Sequence, residues 1–241
     1  MKTRADKCGL ALSVWTIATA LTTSCSSPRA RTSSDADLLA NRSSYPAHWW
    51  AEVSKAGAPS WEIFPQEAKP GEVILSKRNE LGLLSNFAPT PFTFRGKRYA
   101  SLEGFWQMMK FPESADDPRA AFPGLKWPCT REEASQRVGF EANRVGKLAE
   151  ANMKRMGINW VTFEGTRMEY RPTTPGEHCQ LIVAATREKV RQNPDVKRVL
   201  LATGDLVLRP DHHQEPNAPA AWKYFDILMQ IRRELKTLDL K

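Results

Sequence analysis

Glu103, Gln107 and Lys110 are the residues from which a chemical reading starts. At 3.6 residues per turn they fall on one face of a short helix. An acid, an amide and an amine thus line up on a segment otherwise rich in large apolar groups, Leu102-Glu103-Gly104-Phe105-Trp106-Gln107-Met108-Met109-Lys110-Phe111. A carboxylate can exchange a proton, and an amine can act as a nucleophile. A plainer reading competes. Glu near a helix start and Lys near its end are both favoured by the helix dipole.

The elements around the stripe are predicted from local signals. Phe92-Thr93-Phe94 and Lys97-Arg98-Tyr99 read as a hairpin, with Arg95-Gly96 as its turn, because Gly takes positive φ without a steric cost. Ser101 is placed to cap the Glu103 helix. Glu72 to Ser76 reads as a strand from its β-branched run. Thr130-Arg131-Glu132-Glu133 and Thr174-Pro175-Gly176-Glu177 read as capping boxes. The first opens a helix to about Ala142, followed by another near Val145–Met156. The second opens a helix to about Gln192, ended by Pro194. Ile158–Thr162 reads as a short extended segment or a helix end, Leu206-Val207-Leu208 as a strand, and Ala220–Leu235 as the last helix. The expected fold class is α+β: one helix-dominated domain with a small β-sheet.

The 241 residues suffice for one domain with a core plus appendages. With 41% apolar and 26% charged residues the chain has an ordinary globular composition. A net charge of +8 suits anionic partners without choosing among them. Residues 1–25 read as an export signal: Lys2, Arg4 and Lys7, an apolar run from Gly9 to Leu21, then small residues. The ending Leu21-Thr22-Thr23-Ser24-Cys25 resembles the bacterial lipoprotein signal, with Cys25 as the lipid-bearing residue. That predicts an exported, membrane-anchored lipoprotein; a mis-chosen start codon would instead leave the protein cytoplasmic. Residues 26–45 read as a flexible tether and 46–71 as an aromatic, proline-rich arm, one of whose tryptophans could stack on a substrate. Residues 72–241 form the expected catalytic domain. Cys129 and Cys179 would be left to pair outside the cytoplasm. Adjacent His212 and His213 point apart, so no metal is expected.

Ser85-Asn86-Phe87, Pro91-Phe92, Gly96, Tyr99-Ala100-Ser101, Glu103, Gln107 and Lys110-Phe111, in that order, resemble the NADAR (YbiA-like) family. Leu201-Ala202-Thr203-Gly204, and Leu228-Met229 with Ile231-Arg232, extend the resemblance over about residues 72–235. The chain departs from the family pattern at Gly104-Phe105, at Asp211-His212-His213 and at Trp222 to Ile227. The resemblance implies an N-glycosidase that needs no cofactor and cleaves a base-like group from a ribose phosphate. Its substrate would be an early riboflavin intermediate or an ADP-ribosylated guanine, free or in nucleic acid. Glu103 would then stabilise the oxocarbenium-like centre or move a proton, kept ionised by its helix-start position. Lys110 would attack the same carbon and form a Schiff base. Asn86 and Gln107 would hold ribose hydroxyls or the base edge, or else cap backbone or face solvent; Tyr99 and Trp106 would stack on the base or pack in the core; and Asp211 would hold a hydroxyl or the leaving base. The rival expectation is a non-catalytic module that binds ADP-ribose or a related nucleotide.

Overall fold

A computed structural model describes residues 42–238. The export signal, Cys25 and most of the tether lie outside the described residues. In order, the strands are β1 (Glu72–Ile74), β2 (Phe92–Phe94), β3 (Lys97–Tyr99), β4 (Trp160–Phe163), β5 (Thr166–Glu169) and β6 (Val207–Arg209). The α-helices are α1 (Leu102–Met108), α2 (Arg131–Ser135), α3 (Gly139–Arg155), α4 (Glu177–Gln192), α5 (Pro194–Ala202) and α6 (Tyr224–Leu238). The fold is α+β and helix-dominated. In place of one small sheet, the described strands make separate two-stranded ladders.

Two ladders are hairpins built the same way. In β2–β3, Phe92 pairs with Tyr99 across Arg95 and Gly96, both at positive φ (48° and 77°). In β4–β5, Phe163 pairs with Thr166 across Glu164 and Gly165, also both positive (49° and 76°). Positive φ at both central residues gives the turn whose twist matches the flanking strands. The two non-glycine turn residues ion-pair, Arg95 Nη1 to Glu164 Oε2 at 2.6 Å. Sequence reading caught the first hairpin and missed β5. Glu164-Gly165 carries the same turn signal as Arg95-Gly96.

The third ladder is parallel, with Glu72 opposite Val207 and Ile74 opposite Arg209. Its strands are far apart in the chain, so nothing local predicts the pairing.

Helix boundaries differ from expectation at several places: α1 ends at Met108, so Lys110 lies in the turn after it, and the last helix starts at Tyr224 rather than near Ala220. The Thr130 box forms, with the Thr130 hydroxyl accepting from Glu133 N and the Glu133 carboxylate accepting from Thr130 N. Its helix ends at Ser135, and α3 restarts at Gly139. The Thr174 box does not form: Gly176 is the residue before α4 and has no capping side chain. Pro194 begins α5 at its first position, where its missing N–H costs nothing, as well as following α4.

Phe92, Phe94, Tyr99, Phe105 and Phe163 pack edge-to-face and tilted against one another in the core. The arm packs onto the same body. Trp49 is buried and donates to Glu80 Oε1, and Trp50 donates to Glu72 O. Ile63 N donates to Asp211 O. Cys129 and Cys179 are free thiols. No described helix is long and apolar enough to cross a membrane.

Candidate functional site

Every residue of α1 is buried. Ser101 Oγ accepts from Gly104 N at 2.9 Å, and Asn86 O accepts from Glu103 N at 2.9 Å. Gly104 is required by packing. A Cβ there would lie 2.5 Å from Arg137 O. At the far end of α1, two guanidinium groups take the free carbonyls. Arg131 donates to Met108 O and Phe111 O, and Arg119 donates to Met109 O. Lys110 is held between these anchored carbonyls.

The polar stripe of α1 meets a second one on α3. Asn143, Lys147 and Glu150 repeat the spacing of Glu103, Gln107 and Lys110. Asn143 Nδ2 donates to Glu103 Oε1 at 3.3 Å, and Lys110 Nζ donates to Glu150 Oε2 at 2.9 Å. Between them Gln107 Nε2 donates to Glu103 Oε1 at 2.7 Å. Gln107 has room only because residue 146 is glycine: a Cβ there would sit 1.8 Å from Gln107 Oε1.

Glu103, Gln107 and Lys110 open onto one cavity of about 760 Å³. Asn86 and Trp106 also line it, as do Lys77, Lys147, Glu150, Tyr170, Arg171 and the His212–Gln214 segment. Trp61 from the arm stands at its wall beside Phe87 and Phe140. Lys77 Nζ lies over the Phe87 ring at 5.4 Å and the Trp61 ring at 6.0 Å.

Two expected site residues are placed elsewhere. Tyr99 does not line the cavity. It is packed against Phe92 and Phe105, because β3 turns it toward the core. Asp211 is also buried behind the wall. Its oxygens pair with Lys77 Nζ at 2.5 Å and His212 Nδ1 at 3.1 Å, so Lys77 and His212 are the groups that reach the cavity. Sequence reading missed Lys77, Asn143, Glu150, Tyr170 and Arg171. The α3 residues share the spacing of the α1 stripe, but that spacing shows its meaning only once the two helices are seen side by side.

Burial raises the carboxyl pKa of Glu103, against the hydrogen bonds from Gln107 and Asn143 and the charges of Lys110 and Lys77. Loss of solvent therefore acts on Glu103 against the ionisation that its helix-start position favours. Glu150 goes the other way. Burial pushes it up, but Lys110 and then Arg171 pull it below the usual carboxylate range. Asp211 is likewise held down by His212 and Lys77 against its burial. Behind the cavity His178 is buried between Trp106 and Tyr170. Burial, then the Lys110 charge, push it down to about 4, against a contact with the Tyr170 backbone that falls short of a well-formed hydrogen bond. No group of three or more His, Cys, Asp or Glu among the described residues is placed to hold a metal ion.

The fold and site define a helix-dominated α+β protein with an acid–amine pair in an aromatic and cationic cavity. No family model matches the chain, and no curated protein matches it. Among solved structures it is similar to the E. coli protein YbiA, determined by NMR, at 21% identity and a TM-score of 0.44. The likeness covers 69% of this chain and 84% of that one. Any functional reading therefore rests on the side chains of the cavity.

Proposed function

We propose that the chain is an N-glycoside hydrolase acting on a ribosylated base that carries phosphate. The observation that carries this reading is the pair of buried groups, Glu103 and Lys110, both facing one cavity of sugar-nucleotide size. Cleaving the bond between a base nitrogen and the anomeric carbon builds positive charge on the sugar and negative charge on the base. Glu103, with its proton affinity raised by burial, donates to the leaving nitrogen. The resulting carboxylate then activates water. Lys110 Nζ forms a bond to the anomeric carbon, and water resolves the Schiff base of the opened sugar. Trp106 gives the base an aromatic face, Asn86 and Gln107 give hydrogen bonds, and Lys77, Lys147 and Arg171 suit a phosphate. Asp211 acts through Lys77, which it holds in place.

Glu103→Gln tests the reading. It keeps the shape and the Asn143 neighbour but cannot exchange a proton. Turnover of ADP-ribosylated guanosine or an N-ribosyl phosphate should fall by about 10² to 10⁴, with ligand affinity kept. Tight binding with no turnover in the unaltered protein would instead identify a binding module. We further propose export through residues 1–25 and lipidation at Cys25. The mass of the mature amino terminus tests both.

A further inference from the structure

The nucleophile proposed above has a protonation problem, and the inference that solves it rests on that reading. An ammonium group has three donors and no lone pair, so Lys110 must lose a proton before it can attack. Lys110 is 2% exposed, which denies the proton an easy route to bulk water. Its Nζ touches Glu150 Oε2 at 2.9 Å and Gly146 O at 3.4 Å, and lies 4.9 Å from the Tyr170 ring centroid. Of these, only the carboxylate is a base. The other charged or titratable groups facing this corner are Glu103 on α1, Lys147 on α3, Arg171 after β5, and His178 on α4. Glu103 is engaged by Gln107 and Asn143, and Lys147 and Arg171 are cations.

The second oxygen of Glu150 is held by Arg171 Nη2. Arg171 is half-exposed and lies over the rings of Tyr170 (5.5 Å) and Trp222 (5.2 Å), both at the cavity. One carboxylate thus bridges the nucleophile and a guanidinium that a substrate can reach. While Arg171 stays on Glu150 it makes that carboxylate a poor proton acceptor. A phosphate competes well for a guanidinium, because the planar fork matches its oxygens.

We infer that Glu150 is the base that takes the proton from Lys110, and that Arg171 restrains it until a substrate phosphate draws the guanidinium away. The proton passes from Nζ to Oε2 of Glu150. The freed electron pair forms the bond from Nζ to the anomeric carbon. The bond from that carbon to the base breaks, its pair leaves with the base nitrogen, and Glu103 supplies the proton there. No oxidant or reductant is needed. The arrangement makes phosphate a trigger as well as an anchor: a sugar lacking it leaves the lysine charged.

Ribose 5-phosphate and ribose are the probes, since each presents an aldehyde that an amine can capture. The full chain is incubated with either sugar and cyanoborohydride from pH 6 to 10, and the adduct is located by peptide mass. The unaltered protein should label Lys110 at pH 7 at least tenfold faster with ribose 5-phosphate than with ribose. Glu150→Gln should slow labelling at pH 7 by tenfold or more and regain it toward pH 10. Glu150→Asp, which keeps a carboxylate, should retain most of the neutral-pH rate. Arg171→Met should abolish the preference for the phosphorylated sugar by raising the ribose rate. A Glu150→Gln profile that overlays that of the unaltered protein would overturn the role of Glu150. An unchanged sugar preference in Arg171→Met would overturn the restraint by Arg171. Turnover without any Lys110 adduct, at pH 10 as at pH 7, would bring down the lysine nucleophile itself, a failure of the underlying reading that is distinct from the other two.

Discussion

Gly146 has no side chain because Gln107 occupies the space where one would be. That contact makes a sharp test of whether the Glu103 carboxylate must be held in place. Gly146→Ala would drive Gln107 off Glu103 while favouring the α3 helix by about 1 kcal/mol. Turnover should fall by roughly 10- to 100-fold, by analogy with other misplaced catalytic groups. The thermal midpoint should move by only a few degrees, because helix propensity offsets part of the clash. Unchanged turnover would show that Glu103 acts without the Gln107 hydrogen bond. At this scale the α1 stripe was legible because polar residues on a short apolar helix are conspicuous. The matching α3 stripe was not. Asn143, Lys147 and Glu150 stand among Glu141, Arg144 and Arg155, so in sequence they merge with the solvated side of an amphipathic helix. Tyr99 carried both a pocket and a core reading, because an aromatic side chain in a strand has no local mark of either, and the core reading is the one the fold adopts.

The elements are joined by buried arginines that periodicity does not reveal. Arg232 on α6 donates to Thr203 Oγ1 at 2.6 Å and to Leu206 O at 2.9 Å. The Thr203-Gly204 and Ile231-Arg232 motifs, read in sequence as part of a family pattern, therefore pin the last helix to the turn before β6. None of them lines the cavity. Arg232→Met leaves two buried acceptors without donors and should cost about 1–3 kcal/mol. Urea unfolding would register it, while KM stays unchanged; a large rise in KM would mean that α6 also shapes the cavity. Capping signals were readable at Ser101 and Thr130, where both partners lie within a few residues. They failed at Thr174, where the chain enters α4 through Gly176 in an extended conformation (φ −114°, ψ −169°).

The whole molecule carries two buried bases that make its stability depend on pH. Lys189 is fully enclosed, donates to Ser85 O at 2.7 Å, and is pushed down by burial to about 7. His178 is pushed down to about 4. Each binds fewer protons folded than unfolded between its folded and ordinary values, so stability rises with pH across that window. For His178 the window runs from about 4 to 6.5, and for Lys189 from about 7 to 10.5. The slope approaches about 1.4 kcal/mol per pH unit for each. Burial pushes the thiols of Cys129 and Cys179 up from 9.0, which works the other way in more alkaline solution. Comparison of pH 7.0 with 8.5 isolates the lysine. The unaltered protein should gain about 1–2 kcal/mol over that interval, and Lys189→Met should gain none. Equal gains in both would assign the effect to another group. The α+β class was legible from local patterns, but the β1–β6 ladder was not, since its register is settled only in three dimensions. That ladder sets the order in which the protein can come into being. Lys77 follows one of its strands and Asp211 the other, 134 residues apart. A ribosome finishes α1 and α3 long before it reaches Asp211, so a chain halted partway would display the acid and the amine on an open face, and the cavity closes only once the segment carrying Asp211 has emerged.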